Sequence, residues 1–371
     1  MFLKNIRLSN FKSHQEAAFQ FNANVNGIVG ANGSGKTNLL DAIHYLSFCK
    51  SFFSSQDRFS VQFGAEFFAI HGEFSTFGSE RSNAISCAYQ TNGRKTVKAD
   101  GKEYDRLSDH IGRFPLVMVS PYDHDIINAG SDLRRRFFDM IISQFDGEYL
   151  HQLISYQKII TQRNTILKQF IENRNYNSPL LDIFNEQIIP LGTYIYNKRK
   201  EFIGELLPTL QNYYSQLSGN QEDVNVIYVS GLNDQSFEEG LANTAAADAK
   251  CGFTTFGIHK DDYDFLINGN PIKRFGSQGQ QKSFVLSTRL AQFDYIFSKK
   301  NIKPILLLDD IFDKLDRQRT AHLLDLVGKD HFGQVFLTDT DENRIKTILD
   351  SYNLENTIYK IEKNIKSNQY E

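Results

Sequence analysis

One stretch of eight residues, Gly30-Ala31-Asn32-Gly33-Ser34-Gly35-Lys36-Thr37, constrains this chain more than any other. It matches G-x-x-x-x-G-K-[ST], a phosphate-binding loop. Gly30, Gly33 and Gly35 carry no Cβ, so the backbone can turn tightly and bring its N–H groups against a triphosphate. Lys36 can reach the β and γ phosphates, and the Thr37 hydroxyl suits a bound Mg2+. Residues 24–29 read as a short strand entering the loop, and residues 38–48 as the helix leaving it. The positive end of that helix's dipole then points at the phosphates. The expected cofactors are ATP and Mg2+, on an α/β fold.

Composition sets the outer bounds. A chain of 371 residues accommodates one large or two modest domains. Hydrophobic residues make up 40% and charged residues 23%, a globular balance. There are 31 Phe and no Trp, so Phe should dominate the core. The net charge of −3 gives no basic field over the whole molecule, so nucleic-acid binding would need local patches. Cys49, Cys87 and Cys251 match no metal-ligand spacing and read as small buried apolar residues in a reducing compartment. No apolar run reaches membrane-spanning length, and the first residues lack a signal peptide's apolar core. A cytoplasmic protein is expected.

The chain changes character along its length. Strands are expected over residues 2–10 and 16–21. An antiparallel meander is expected over 66–105, where Ile85, Cys87 and Tyr89 alternate with Ser86, Ala88 and Gln90. Asn92-Gly93 and Asp100-Gly101 are its hairpin turns. From 131 to 217 apolar residues recur at helical spacing instead. Tyr149, Leu153, Tyr156, Ile160, Leu167 and Ile171 can share one face. Ile188, Ile195, Phe202, Leu206, Leu210, Tyr213 and Leu217 mark a second long helix, which Pro190 and Pro208 should bend or break. Helices of about thirty residues, roughly 45 Å, are expected. The expected organisation is an α/β head from residues 1–120 and 218–371, with a helical lobe inserted at 121–217.

Two later segments complete the site. Pro304-Ile305-Leu306-Leu307-Leu308-Asp309-Asp310 reads as a strand buried on both faces that ends in two carboxylates. Asp309 suits the Mg2+ shell, directly or through water. Asp310 is placed to orient or deprotonate an attacking water. Ser277-Gln278-Gly279-Gln280-Gln281-Lys282-Ser283 opens a helix, where a hydroxyl and free N–H groups can meet an anion or simply cap the helix.

The order of these pieces, closed by Lys314-Leu315-Asp316, resembles the head of an ABC-type ATPase. The expected architecture is such a head, with mixed sheets flanking the phosphate loop. That resemblance implies that Ser277, Gly279 and Gln280 meet nucleotide held by a second subunit, with Asp316 at the same junction. Two chains would then sandwich two ATP.

The match narrows with the rest of the chain. The run Leu3 to Lys12, Ser120-Pro121-Tyr122-Asp123, Gly130-Ser131 and Arg134-Arg135-Arg136-Phe137-Phe138-Asp139 resemble landmarks of the RecF family. So do Tyr156-Gln157-Lys158, Gln162-Arg163-Asn164, Gly257-Ile258-His259-Lys260-Asp261-Asp262 and the stretch Phe275 to Gln281. The chain departs from that family at Ile258 (usually Pro), Lys260 (often Arg) and Phe53 (commonly Arg).

The resemblance implies a DNA repair and replication protein that dimerises with ATP at single-strand/double-strand junctions of gapped DNA. It also implies work with RecR and RecO to load RecA, in recombination and the SOS response to DNA damage. Strand 334–338 ends in Thr338-Asp339-Thr340, without the sensor His of many ABC ATPases, and no Gln-loop glutamine is evident. Weak ATPase activity, used as a switch, is therefore expected. A transporter's motor subunit shares the nucleotide motifs but usually shows those two loops. A DNA clamp that never hydrolyses its nucleotide is the third reading. Arg134 to Arg136, Lys198-Arg199-Lys200, Lys4, Arg7 and Lys12 are the candidate phosphate contacts, against the alternative of ordinary solvated faces. His259, with Asp261 and Asp262, has two readings, positioning a loop near the nucleotide or satisfying buried hydrogen bonds, and the structural role is favoured.

Overall fold

The computed structural model describes residues 1–362 apart from 77, 79–80, 174–177, 220–221, 312–324, 326–330 and 352–354. The chain divides into two compact units, Met1–Asp123 with Thr288–Glu371, and His124–Ser287.

In the first unit, β1 (Phe2–Phe11) buries Leu3, then Ile6 and Leu8. The parity changes because the register with β4 shifts between Leu3 and Asn5, a bulge that turns the strand by one residue. The strands β2 (His14–Gln20), β4 (Phe67–Ser75), β5 (Ser82–Gln90), β6 (Lys95–Ala99) and β7 (Lys102–Glu103) join it in a six-stranded antiparallel sheet of order β2-β1-β4-β5-β6-β7. The expected meander is its second half. Asp100 and Gly101 both have positive φ, 51° and 81°, as a primed two-residue hairpin turn requires.

A second sheet is parallel throughout. Its order is β14 (Asn356–Lys360), β3 (Val25–Val29), β13 (Val335–Asp339), β12 (Ile305–Leu308), β8 (Leu116–Val119). Its three inner strands, β3, β13 and β12, and the edge strand β8 are buried at every position, as expected for a sheet covered on both faces. The helix after the loop, α1 (Lys36–Phe48), packs against strands of both sheets. Leu39, Leu40, Ile43 and Leu46 are fully buried, each stabilising the unit by about 1.5–3 kcal/mol. Gly72 of β4 permits this approach, since a Cβ there would stand 2.3 Å from Leu46 Cδ1. Gln334, also fully buried, stitches the sheets: it accepts the Leu3 N–H and donates to the carbonyls of Leu3 and Asn22.

The second unit opens with α2 (Asp125–Asn128), α3 (Ser131–Ser143), α4 (Gly147–Asn173) and α5 (Ser178–Ser218). There follow β9 (Val224–Val229), α6 (Phe237–Cys251), β10 (Asp262–Ile267), β11 (Asn270–Pro271) and α7 (Ile272–Phe275). The helix α8 (Gln278–Lys300) begins here and ends in the first unit. In α4, Tyr149, Leu153, Tyr156, Ile160 and Leu167 are buried as their spacing predicts. Ile171 is not: it is 46% exposed, near the helix end. All seven apolar positions expected of the next helix are buried. Of the cysteines expected to be buried, Cys49 and Cys87 are, while Cys251, at the end of α6, is exposed.

One further expectation needs correcting. The second long helix is neither broken by its prolines nor limited to about thirty residues. α5 continues through Pro190 and Pro208 for 41 residues, about 60 Å. Both prolines lie on its exposed face, where water can solvate the carbonyls that lose a donor. The second unit, His124–Ser287, holds strands as well as these helices. β9, β10 and β11 pair with one another, and β9 packs on α5 while β10 packs on α3.

The remaining element is α9 (Glu342–Ser351), between β13 and β14. Among the described residues no helix is long and apolar enough to cross a membrane.

Candidate nucleotide-binding site

The phosphate loop leaves the buried strand β3 and enters α1. Gly33 and Gly35 adopt φ of 74° and 111°, conformations that suit glycine. Gly30 is excluded from carrying a side chain by packing: a Cβ would stand 2.4 Å from the Ile361 carbonyl oxygen. Ala31, Asn32 and Gly33 form the exposed crest, while Ser34, Gly35 and Lys36 are buried beneath it. The Lys36 ammonium folds back over the loop, donating to the carbonyls of Gly30 at 2.9 Å and Ala31 at 3.4 Å. Ser34 Oγ is buried and has no hydrogen-bond partner among the described residues.

The carboxylate pair meets this loop within the first unit. Strand β12 lies one strand away from β3 across β13, and its tip carries Asp309 and Asp310. Thr37 Oγ1 donates to Asp309 Oδ1 at 2.9 Å. Thr338, at the end of β13, donates to the same oxygen at 2.9 Å and accepts the Asp310 N–H at 2.8 Å. Asp309 is 2% exposed. Burial pushes its pKa up to about 6, against the lowering effect of the Thr37 and Thr338 hydrogen bonds; Asp310 adds to the rise and Lys36 opposes it. Asp310 is half-buried in a left-handed conformation, φ 42°, that turns the chain out of the strand.

These groups fit a nucleotide with a divalent cation. A hydroxyl and a buried carboxylate converge beside an ammonium, and a buried hydroxyl in the loop lacks a partner. Thr338 figures in the sequence only as the end of strand 334–338, where a sensor His is absent, and has no role there; the structure brings its hydroxyl to both aspartates.

Ser277, Gly279 and Gln280 stand together in the second unit, at the start of α8. The arrangement is a reciprocal cap. Gln280 Oε1 accepts the Ser277 N–H at 2.6 Å, and Ser277 Oγ accepts the Gln280 N–H at 3.3 Å. Ser277 remains exposed. Asp316 lies outside the described residues.

The basic runs are largely engaged within the fold. Arg199 is buried between Asp139, at 2.9 Å, and Asp261, at 3.3 Å, and donates to the Ile258 carbonyl. Arg134 grips Asp262 with two hydrogen bonds of 2.7 Å, and Arg135 donates to the Asp261 carbonyl. Lys198 pairs with Asp146 at 3.3 Å, and Lys12 with the buried Asp41 at 2.6 Å. Arg7, Arg136 and Lys200 keep exposed side chains. His259 bonds the Tyr156 hydroxyl and the Thr254 carbonyl, and burial lowers its pKa to about 4.

A phosphate loop after a parallel-sheet strand, closed by a carboxylate pair at a nearby strand tip, defines a P-loop nucleotide-binding head. The chain belongs to the RecF/RecN/SMC N terminal domain family, whose model matches residues 2–364. Its relatives there include the DNA replication and repair protein RecF of Flavobacterium johnsoniae. That protein is 44% identical over 351 residues, spanning 95% of this chain and 97% of the relative. A solved structure of the recombination mediator protein RecF with ATP, from the RecFOR pathway, superposes with a TM-score of 0.88 at 29% identity. It covers 98% of this chain and 96% of that one. The Smc head domain of Pyrococcus furiosus, at 16% identity and a TM-score of 0.57 over 98% of this chain and 94% of that one, shares the fold.

Proposed function

We propose that this chain is an ATP-switched DNA-binding protein of replication and recombinational repair, acting as a recombination mediator in the manner of its RecF relatives. The observation that carries the reading is the Thr37–Asp309 hydrogen bond, which joins the phosphate loop to the carboxylate pair. In this reading Gly30 to Thr37 cradle the phosphates through backbone N–H groups, with Ser34 Oγ as an added donor. Lys36 exchanges its contacts with Gly30 and Ala31 for phosphate oxygens. Thr37 and Asp309 would hold Mg2+, which when bound neutralises phosphate charge. Asp309, drawn toward its neutral form by burial, would have to ionise to hold the cation. Asp310 orients or deprotonates the attacking water.

The capped serine at α8 stays exposed, which suits a role toward a second chain. Ser277, Gly279 and Gln280, with Asp316, would meet the nucleotide of a partner copy, so that two chains close over two ATP. DNA phosphates would then be met by exposed cations such as Arg7, Arg136 and Lys200, with weak sequence preference and strong salt dependence. Gapped DNA with its single-strand/double-strand junctions is the proposed substrate, RecR, RecO and RecA are the proposed partners, and the cytoplasm is the proposed location.

Steady-state ATP turnover and ATP binding, measured for the parent and for Asp310→Asn, test the site. The parent is expected to turn over more slowly than about 10 s⁻¹, an ordinary enzyme rate. The variant should bind ATP and hydrolyse none. A variant that still hydrolyses would remove Asp310 from the chemistry. A parent that binds ATP without turnover would favour the non-hydrolysing clamp.

A further inference from the structure

Three consecutive residues of the β1–β2 turn are tied to the phosphate loop and the helix behind it. Lys12 Nζ stands 2.6 Å from the buried Asp41 carboxylate of α1. Ser13 Oγ accepts the Asn38 side-chain N–H at 2.8 Å. His14 Nε2 lies 3.1 Å from the Gly35 carbonyl oxygen. A carbonyl only accepts, so this contact requires the His14 proton on Nε2. The ring is 7% exposed, and burial holds its pKa below the usual value against the raising effect of the Gly35 bond. The turn itself is tight: Phe11 and His14 are register partners, and Lys12 takes a φ of 51°.

We propose that His14 is a positioning residue for the phosphate loop: its Nε2–H holds the Gly35 carbonyl and so aims the Lys36 N–H into the cradle. The Gly35 oxygen also accepts the Leu39 N–H at 3.0 Å, the first bond of α1. Two donors on one oxygen fix the plane of the peptide between Gly35 and Lys36. The peptide is trans, since the described chain has no cis bond. The Lys36 N–H therefore points opposite to the Gly35 C=O, away from His14 and toward the loop interior. Gly35 has no side chain of its own to hold this geometry at φ 111°. The turn lies flush against it, because a Cβ on Gly35 would stand 2.7 Å from Ser13 Oγ and 2.9 Å from His14 Nε2. The six-stranded sheet thus acts on the phosphate loop through one imidazole.

The inference rests on the nucleotide reading above. Its test is MgATP affinity for the full chain, His14→Ala and His14→Gln, with KM and kcat for each and amide hydrogen exchange across residues 35–37. A Gln amide can donate to the same carbonyl where Ala cannot. His14→Ala is expected to bind MgATP roughly three- to tenfold more weakly, the range of one net hydrogen bond. KM should rise more than kcat falls, exchange at Lys36 should quicken, and Gln should recover most of the loss. Wild-type affinity in His14→Ala, or a Gln variant no better than Ala, would overturn the positioning role while leaving the nucleotide reading intact. A parent chain that binds no MgATP would overturn both.

Discussion

Thr37 and Asp309, 272 positions apart in the sequence, meet through a hydroxyl-to-carboxylate hydrogen bond of 2.9 Å. Thr338 donates to the same oxygen from the strand between them. Two hydroxyls on one buried carboxylate do not offset its desolvation, so the group stays above the usual carboxylate range, at about 6. The folded chain therefore holds this proton more tightly than the unfolded chain. The resulting stability is complete below about pH 4 and is lost as pH rises through 6. Compared with Asp309→Asn, the nucleotide-free parent should lose on the order of 2–3 kcal/mol between pH 4 and 7. Urea midpoints across that range check it. A difference between the two proteins that does not change with pH would contradict the shift.

Gly30 is held between the Ile361 carbonyl and Ser34 Oγ, with 2.4 Å and 2.7 Å left for a Cβ. One of these contacts is backbone and cannot swing aside. Gly30→Ala should therefore displace the loop, costing about 1–3 kcal/mol of stability. It should also weaken MgATP binding at least about tenfold, if binding depends on loop geometry as oriented reactions do. Calorimetric titration against the parent reads this directly.

In the second unit, Arg163 and Asp248 form an ion pair of 2.7 Å with both side chains essentially inaccessible to solvent. Asp248 also accepts the N–H and hydroxyl of Thr255, and Arg163 donates to Thr254. Removing one partner strands the other charge. Asp248→Ala should cost about 3–5 kcal/mol, seen as a lower denaturant midpoint. A loss under about 1 kcal/mol, the surface-pair range, would contradict the burial.

Pro190 and Pro208 sit on the exposed face of α5, inside a helix that continues past both. Each removes a helical hydrogen bond without supplying buried contacts there. Replacing either by Ala should stabilise the chain, by about 1–3 kcal/mol if the helix geometry is unchanged. Thermal midpoints of the two single variants provide the check.

The phosphate loop could be read from the chain because its chemistry is contiguous: glycines, lysine and threonine within eight residues. The Asp309–Asp310 pair was legible for a similar reason, being the end of an unbroken apolar run. Helical faces in α4 and α5 followed from spacing, which local geometry enforces. What spacing could not show was where the side chains go next. Arg199 sits in a basic run that looks like a solvated face, yet it bonds Asp139 and Asp261, about sixty positions away in either direction. Thr338 bridges two aspartates that lie 28 and 29 positions before it. Proline at 190 and 208 argued for a bend or a break, and the helix runs unbroken through both, with its opposite face buried. Long-range pairing decides each of these outcomes.

The most direct test of the account is binding to gapped DNA and to blunt duplex at one fixed salt concentration, with ATP, with ADP and with no nucleotide, for the parent and for Ser277→Arg. The account predicts tight binding to gapped DNA with ATP alone, and its loss when a bulky cation replaces the exposed serine. Binding indifferent to nucleotide, or unaffected by Ser277→Arg, would contradict a nucleotide-closed dimer on DNA.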